Sequence, residues 1–196
     1  MRVLALGIVL AATSVARAEP FVELGGGLTV PLTDDTYTSY IDPSANLFAR
    51  FGGGGPTIGG MASVEWSPLA ADSSFLSFNR FRILGHIVVH HLVAPKVELT
   101  ARAGAGLDIL HEHAQLDVLG TRFEGSDTDV GLALEFGGGI WFSVGAGSTQ
   151  VGAELALPIS YHSKTGNPNN PNDPNNATFD FTGLDLDVLA AVRLRL

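Results

Sequence analysis

Acidic and basic residues recur in this chain at positions where they could act together. Glu98, Arg102 and Asp108 share one parity of a single segment, and Asp187 and Arg193 share one parity of another. Twelve charged residues share the polar parity of their segments: Glu23, Glu65, Arg82, Glu98, Arg102, Asp108, Glu135, Glu154, Asp185, Asp187, Arg193 and Arg195. Arg50 is a further candidate of this kind. Such groups could form a gated polar path or a paired-carboxylate site, or they could neutralise one another. If they are confined together we expect ion pairs, because an isolated buried charge is prohibitively costly.

Histidine could supply metal ligands, and the sequence has six of them. His111 and His113 flank Glu112, which puts two imidazoles on one side of an extended segment. A zinc site needs a third protein ligand, and the other histidines do not supply one at motif spacing. We therefore predict polar loop histidines, no metal site and no cofactor.

Strands must position these charges, because apolar residues in the same segments recur at every second position. Between residues 183 and 196 every even position is apolar, while Asp185, Asp187, Arg193 and Arg195 occupy odd positions. This alternation is typical of a strand with one apolar face. The pattern predicts eight strands, at residues 21–32, 46–53, 57–66, 80–90, 97–109, 129–144, 151–162 and from 178 to the end.

Short turns and long connections alternate between these strands. Residues 52–56, 94–96 and 147–148 are predicted turns, and the polar stretches 33–45, 67–79, 111–127 and 164–177 are predicted loops. Hairpin partners must present the same face, and the parity of the apolar positions agrees with the turn lengths. These turns predict that Arg82 faces Asp108, that His90 faces Thr100 and that Val144 pairs with Val151. The fold class is therefore all-β, an antiparallel up-and-down barrel of about eight strands.

The direction of the apolar face distinguishes a transmembrane barrel from a soluble one. The polar face is mostly Gly, Ala, Ser and Thr with few charges per strand, which suits a narrow interior. The apolar face has no charged residue in any predicted strand, and one Lys or Arg near the bilayer midplane would cost about 2 to 4 kcal/mol. Trp66, Phe81, Phe142 and Tyr161 lie near strand ends on that face, where aromatic girdles occur. We therefore predict that the apolar face contacts lipid.

The first residues have the pattern of an export signal. Arg2 precedes an apolar run at residues 3–12 that is too short to span a bilayer, and Ala16-Arg17-Ala18 is an A-x-A cleavage pattern. We expect residues 1–18 to be a cleaved secretory signal peptide and residues 19–196 to form the barrel. The chain has no cysteine and a net charge of -9, so disulfides and thiolate metal sites are excluded and nucleic acid is a poor partner.

The export signal, strands such as FVELGGGLTVPL and VELTARAGAGLDIL, and a strand at the end of the chain are similar to the eight-stranded outer-membrane β-barrel family. The OmpA transmembrane domain is of this kind. The resemblance covers residues 19–196 and implies the outer membrane of a Gram-negative bacterium, with outer-membrane lipid and the barrel-insertion machinery as partners. That machinery usually reads a final Phe, where this chain has Leu196. The family's C-terminal peptidoglycan-binding domain is absent, so cell-wall tethering is not implied.

Some small outer-membrane barrels are lipid-modifying enzymes that use Ser and His at the lipid rim. His162 with Ser160 or Ser163 could echo this arrangement, but the chain has no G-x-S-x-G nucleophile motif. We predict a non-enzymatic barrel whose lumen is largely closed by charged side chains and whose surface loops act in envelope structure or in binding a surface ligand. The alternative is a lipid-modifying enzyme or a narrow polar pore.

Overall fold

Antiparallel strands make up almost all of the described chain, which comprises residues 19–33, 41–71, 76–118, 121–145, 148–164 and 179–196 of a computed structural model. The strands are β1 (Glu19–Pro31), β2 (Ile41–Asp42), β3 (Ser44–Gly54), β4 (Ile58–Ala71), β5 (Leu76–Ala94), β6 (Val97–Val118), β7 (Thr121–Val144), β8 (Thr149–Lys164) and β9 (Phe179–Arg195). Among the described residues no helix is long and apolar enough to span a membrane. The predicted signal peptide lies outside the described residues.

Eight of the strands close into a ring. β1 pairs with β3 on one side and with β9 on the other, and the β4–β5 pairing completes the circle. β2 is a two-residue strand that pairs with the end of β4 and lies outside this ring. The predicted all-β, antiparallel barrel of eight strands is therefore confirmed.

The two ends of the ring differ in their connections. At the turn end, residues 55–57, 95–96 and 145–148 join β3 to β4, β5 to β6 and β7 to β8. Glu19 and Leu196 are at the same end, where the Leu196 amide donates to the Pro20 carbonyl at 2.8 Å. The opposite end, here called the loop end, carries the connections that include residues 34–40, 72–75, 119–120 and 165–178, all outside the described residues.

Residues of the two parities face opposite sides of the ring, as the alternation predicts. Apolar side chains of one parity are exposed on the outside, with Ile87 66 % and Leu132 62 % exposed. Residues of the other parity are buried inside. The four predicted girdle residues Trp66, Phe81, Phe142 and Tyr161 are all among the exposed apolar residues, which confirms the predicted division of faces.

The predicted registers are correct at one turn and shifted at another. Arg82 pairs with Asp108 and His90 with Thr100, as predicted, and an irregularity between Leu92 and Ala94 leaves a two-residue turn. Val144, however, pairs with Thr149, so the predicted pairing with Val151 is wrong. The connection has four residues rather than two and begins with Gly145 in a left-handed conformation with φ of 64°. Both lengths are even, and the shift of two residues leaves the faces unchanged.

Two of the predicted loops are largely strand, and a third is strand at its end. β4 continues to Ala71 and β5 begins at Leu76, within predicted loop 67–79, and β6 and β7 extend through most of predicted loop 111–127. In predicted loop 33–45, β2 and the start of β3 are extended. Near the loop end both faces of these strands carry polar residues, so the alternation disappears while backbone pairing continues, for example between His113 and Ser126. In the fourth loop only Lys164, which ends β8, is described.

Candidate functional site: the charged interior of the barrel

The predicted charged residues converge inside the ring. Their parity on each strand points them inward, and eleven of the twelve are buried: Glu23, Glu65, Arg82, Glu98, Arg102, Asp108, Glu135, Glu154, Asp185, Asp187 and Arg193. The twelfth, Arg195, is partly exposed at the turn end, where its side chain keeps 35 % of its accessible surface. The interior is therefore a layered stack of ion pairs from one end to the other.

The layer nearest the loop end joins Arg80, Asp108, Asp185 and His162. The Arg80 Nη1 atom lies 2.5 Å from Asp185 Oδ2, and its Nε atom lies 3.5 Å from Asp108 Oδ2. His162 lies between two carboxylates, with Nδ1 2.6 Å from Asp129 Oδ2 and Nε2 3.4 Å from Asp108 Oδ2. Arg80, Asp129 and His162 were not in the predicted set, although each has the same parity as a charged residue of its own strand that was.

The middle layer is organised around Asp187. Arg82 Nη2 lies 2.6 Å from Asp187 Oδ2 and 3.1 Å from Glu65 Oε2. Thr29 donates its hydroxyl to Asp187 Oδ1 at 2.6 Å, and the Asn46 amide donates to Asp187 Oδ2 at 3.1 Å. Asp187 thus has the several partners that a buried carboxylate requires.

A second carboxylate, Glu154, brings two arginines together. Arg50 Nη1 lies 2.5 Å and Arg102 Nη1 2.6 Å from Glu154 Oε2. Arg102 Nε also donates to Glu135 Oε1 at 2.7 Å, and His86 Nε2 lies 3.3 Å from the same oxygen. Two guanidinium groups on one carboxylate are stable only because each also contacts a further acid.

The layer nearest the turn end is built around Arg193. Its Nη1 atom lies 2.8 Å from Glu98 Oε1, and its Nη2 atom lies 3.3 Å from Glu23 Oε2. The guanidinium also stacks over the Trp141 ring, with Cζ 3.9 Å from the centroid, and over the Phe21 ring at 4.8 Å. A desolvated cation between two aromatic faces gains about 2 kcal/mol or more from such contacts.

Apolar clusters lie near the loop end and between charged layers of the stack. Near the loop end Ile41, Leu69 and Leu110 form a buried cluster. Toward the turn end the buried clusters are Phe48 with Trp141, Leu189 and Ala191, and Phe21 with Met61 and Val88. At these levels apolar side chains line the lumen, so its polar surface is not continuous.

Glycines provide the room for the largest interior side chains. A Cβ atom at Gly152 would lie 2.6 Å from atoms of the Trp141 ring, and one at Gly104 would lie 2.6 Å from His86 Nε2. Since real Cβ atoms do not approach other atoms so closely, each glycine is needed for the packing of the ring beside it.

Three buried carboxylates, Glu65, Glu135 and Asp187, could hold a metal ion by distance alone, since their candidate ligand atoms lie within 4.8 Å of one another. The guanidinium of Arg82 already lies between Glu65 and Asp187, and that of Arg102 contacts Glu135. A metal ion would have to enter next to two fixed positive charges. The arrangement therefore suits arginine counter-ions better than a metal ion.

The remaining histidine and serine candidates are divided between the outer face and the lumen. His111 and His113 lie on the outer face near the loop end, and His111 Nδ1 is 2.9 Å from the Thr128 hydroxyl. Ser160 and His162 are buried inside the barrel, while Ser163 is exposed on the outer face. Ser160 and His162 therefore face the lumen rather than a lipid rim, and Ser163 faces the opposite way.

A closed ring of eight strands also occurs in solved structures. The crystal structure of Neisserial surface protein A matches with a TM-score of 0.61 at 13% identity, over 91% of this chain and 97% of that one. The fold is that of an eight-stranded outer-membrane β-barrel. The resemblance inferred from the sequence is confirmed at this level.

Two further solved structures match over similar lengths. Ail of Yersinia pestis has 16% identity and a TM-score of 0.48, covering 90% of this chain and 99% of that one. The N-terminal β-barrel domain of Pseudomonas aeruginosa OprF has 10% identity and a TM-score of 0.44, covering 92% and 100%. No protein-family model matches the chain, and no curated protein matches its sequence.

Proposed function

We propose that this chain is a non-enzymatic integral protein of a Gram-negative outer membrane, exported by a signal peptide at residues 1–18 that is then removed. Its lumen is closed by charged side chains, and its loop end faces the cell surface. There it acts in envelope structure or in binding a surface ligand. The proposal rests on the charged stack inside the lumen, together with the large apolar side chains that are exposed on the outer face.

The exposed outer face supports insertion in lipid. Large apolar side chains such as Phe51, Ile87 and Leu132 are 60 %, 66 % and 62 % exposed there, and a continuous face of this kind would drive aggregation in water. We expect the purified protein to require detergent and to migrate differently on a gel with and without heating. Solubility without detergent together with identical migration would contradict membrane insertion.

The ion pairs across the lumen support a closed barrel. Arg82 with Asp187 and Arg50 with Glu154 each join strands that are not neighbours in the ring. Ions would have to break these buried pairs to pass, at a cost of several kcal/mol each. We expect no lasting conductance in planar lipid bilayers. A stable, ion-selective conductance would favour the narrow polar pore instead.

The position of His162 argues against the lipid-modifying enzyme. Its imidazole is fully buried, and each ring nitrogen lies near a carboxylate, Asp129 or Asp108. A catalytic base at a lipid rim must instead reach a substrate outside the barrel. We expect lipopolysaccharide acyl chains, measured by mass spectrometry, to be the same in cells carrying the wild type and His162→Ala. A difference between them would favour the enzyme.

A further inference from the structure

A cavity of about 580 Å³ opens at the turn end of the barrel, below the charged stack. This volume lies within the range of roughly 300 to 1,000 Å³ typical of small-molecule sites, which also occur in the mouths of β-barrels. The cavity, here called the vestibule, is bounded by turn residues such as Pro56 and Lys96 and by the strand ends that carry Phe21 and Arg195. It goes beyond the closed lumen proposed above, because it lies outside the ion pairs that close it.

The floor of the vestibule is the stack of Arg193 with Trp141 and Phe21. Arg193 is 2 % exposed, and Glu23 and Glu98 already occupy its guanidinium. It therefore separates the vestibule from the interior and is not available to a ligand. Trp141 does not line the vestibule, but its ring lies 3.9 Å from the Arg193 guanidinium and can report on changes there by its fluorescence.

The basic side chains of the vestibule stand out in an acidic protein. The chain has 11 Lys and Arg against 20 Asp and Glu, yet Lys96, Arg193 and Arg195 line this cavity with only Glu19 and Glu98. Arg193 is paired with Glu23 and Glu98, and Arg195 with Glu98 and Glu19. Among the described residues Lys96 makes no such ion pair, so its positive charge on the cavity wall favours an anion.

Arg195 has one partner, Glu19, that a ligand could replace. Its Nη2 atom lies 2.6 Å from Glu98 Oε2, which is well buried, but its Nη1 atom lies 3.4 Å from Glu19 Oε2, which is exposed. Ion pairs between exposed groups contribute about 1 kcal/mol or less. A ligand carboxylate could therefore take the place of Glu19, with the Gln150 amide and Ser143 hydroxyl on the same cavity wall.

The remaining wall is apolar. Phe21, Pro56, Leu92 and Pro95 line the cavity, and Leu92 is 63 % exposed. We propose that the vestibule binds a small organic anion, whose carboxylate is held by Arg195 and Lys96 and whose apolar body packs against Phe21 and Leu92. Two sources share this chemistry, a free organic acid and the carboxyl terminus of a short peptide.

The test uses the fluorescence of Trp141. The chain has two tryptophans, so a Trp66→Phe background in detergent leaves Trp141 as the reporter. The probes are phenylacetate and a dipeptide ending in phenylalanine, and the controls are phenethylamine and the same dipeptide as its C-terminal amide. We expect a saturable change in emission with both carboxylates and none with the controls. Tighter binding of the dipeptide than of phenylacetate identifies a peptide terminus, and the reverse order identifies a free acid.

Lysine provides a matched pair of variants, because Lys96 lies in the turn-end cavity and Lys164 ends β8 at the loop end. Lys96→Gln should weaken binding about two- to fivefold, and Lys96→Gln with Arg195→Gln about tenfold. Lys164→Gln should leave it unchanged. No saturable signal, equal binding of the amide, or equal affinities of Lys96→Gln and Lys164→Gln would overturn the proposal. If the double variant does not fold, the comparison of the two lysine variants decides alone.

Discussion

Arg82 and Asp187 lie on β5 and β9, which are diametrically opposite in the ring, and yet their side chains meet with 2.6 Å between Nη2 and Oδ2. Three strands separate them whichever way the ring is followed. The lumen at this level is therefore no wider than two extended side chains. Its packing at this level resembles the polar core of a folded protein.

Removing either partner of this pair should destabilise the barrel strongly. Arg82→Gln would leave Asp187 and Glu65 without their shared guanidinium, and Asp187→Asn would leave Arg82 with less compensation. Breaking a buried pair costs about 3 to 5 kcal/mol. Urea unfolding in detergent, followed by tryptophan fluorescence, measures the loss. The double variant should cost less than the sum of the two single ones, because the partners interact directly.

The control for this prediction is Arg195→Gln at the turn end. Arg195 is partly exposed, so its replacement should cost about 1 kcal/mol or less. If Arg82→Gln and Arg195→Gln lower the free energy of unfolding by the same amount, the buried pairs do not stabilise the barrel more than the exposed ones.

Two glycines next to His86, one on its own strand and one on the adjacent strand, test the packing of its ring. Gly104→Ala would place a methyl group against the His86 ring, and overpacking of this kind costs about 1 to 3 kcal/mol. Gly85→Ala is the matched control, because nothing lies within 4 Å of a Cβ there. It should be neutral or stabilising by up to about 1 kcal/mol. His86→Ala combined with Gly104→Ala should recover part of the loss, and no recovery would place the strain elsewhere.

The depth of the lipid band can be measured with arginine substitutions on the outer face. Leu155 lies in the middle of β8, and Leu194 lies at the turn end of β9. Leu155→Arg should cost about 2 to 4 kcal/mol, whereas Leu194→Arg should cost at most about 1 kcal/mol, because the penalty falls toward the interface. Unfolding in phospholipid vesicles gives both values. Equal costs would be inconsistent with a membrane centred on Leu155.

The extension of β6 and β7 toward the loop end can be tested by cross-linking. The chain has no cysteine, so two cysteines can be introduced without background. His113→Cys with Ser126→Cys places them directly opposite each other, and they should form a disulfide that is visible on a non-reducing gel. His113→Cys with Thr128→Cys is offset by two residues and should cross-link less. Equal cross-linking would indicate a loop without fixed register.

The sequence predicts the fold well because one physical signal, the alternation of faces, extends over most of each strand. It fails where that signal stops. Near the loop end both faces are polar, and His113 and Ser126 pair within a stretch that resembles a loop. It also misplaces Val144 by two residues, because turns of two and four residues preserve the same faces.

The partners inside the lumen are harder to predict than the strands. Backbone register places Arg82 beside Asp108, as predicted, but Arg82 reaches Asp187 and Glu65, while Asp108 contacts Arg80 and His162. A long side chain in a narrow ring can reach any strand. Cross-strand register therefore gives some of the pairs, such as Arg82 with Glu65 and Arg193 with Glu23, but not those that cross the lumen.

The ion pairs across the lumen also have a consequence for the number of strands. Barrel diameter grows roughly in proportion to strand count, so a ring with two more strands would separate Arg50 from Glu154. Each charge would then lie inside the barrel without its partner. The same charges cannot meet in an open sheet. Ion pairs across the lumen therefore stabilise only a closed ring of eight strands, and the interior side chains help to set the number of strands in the barrel.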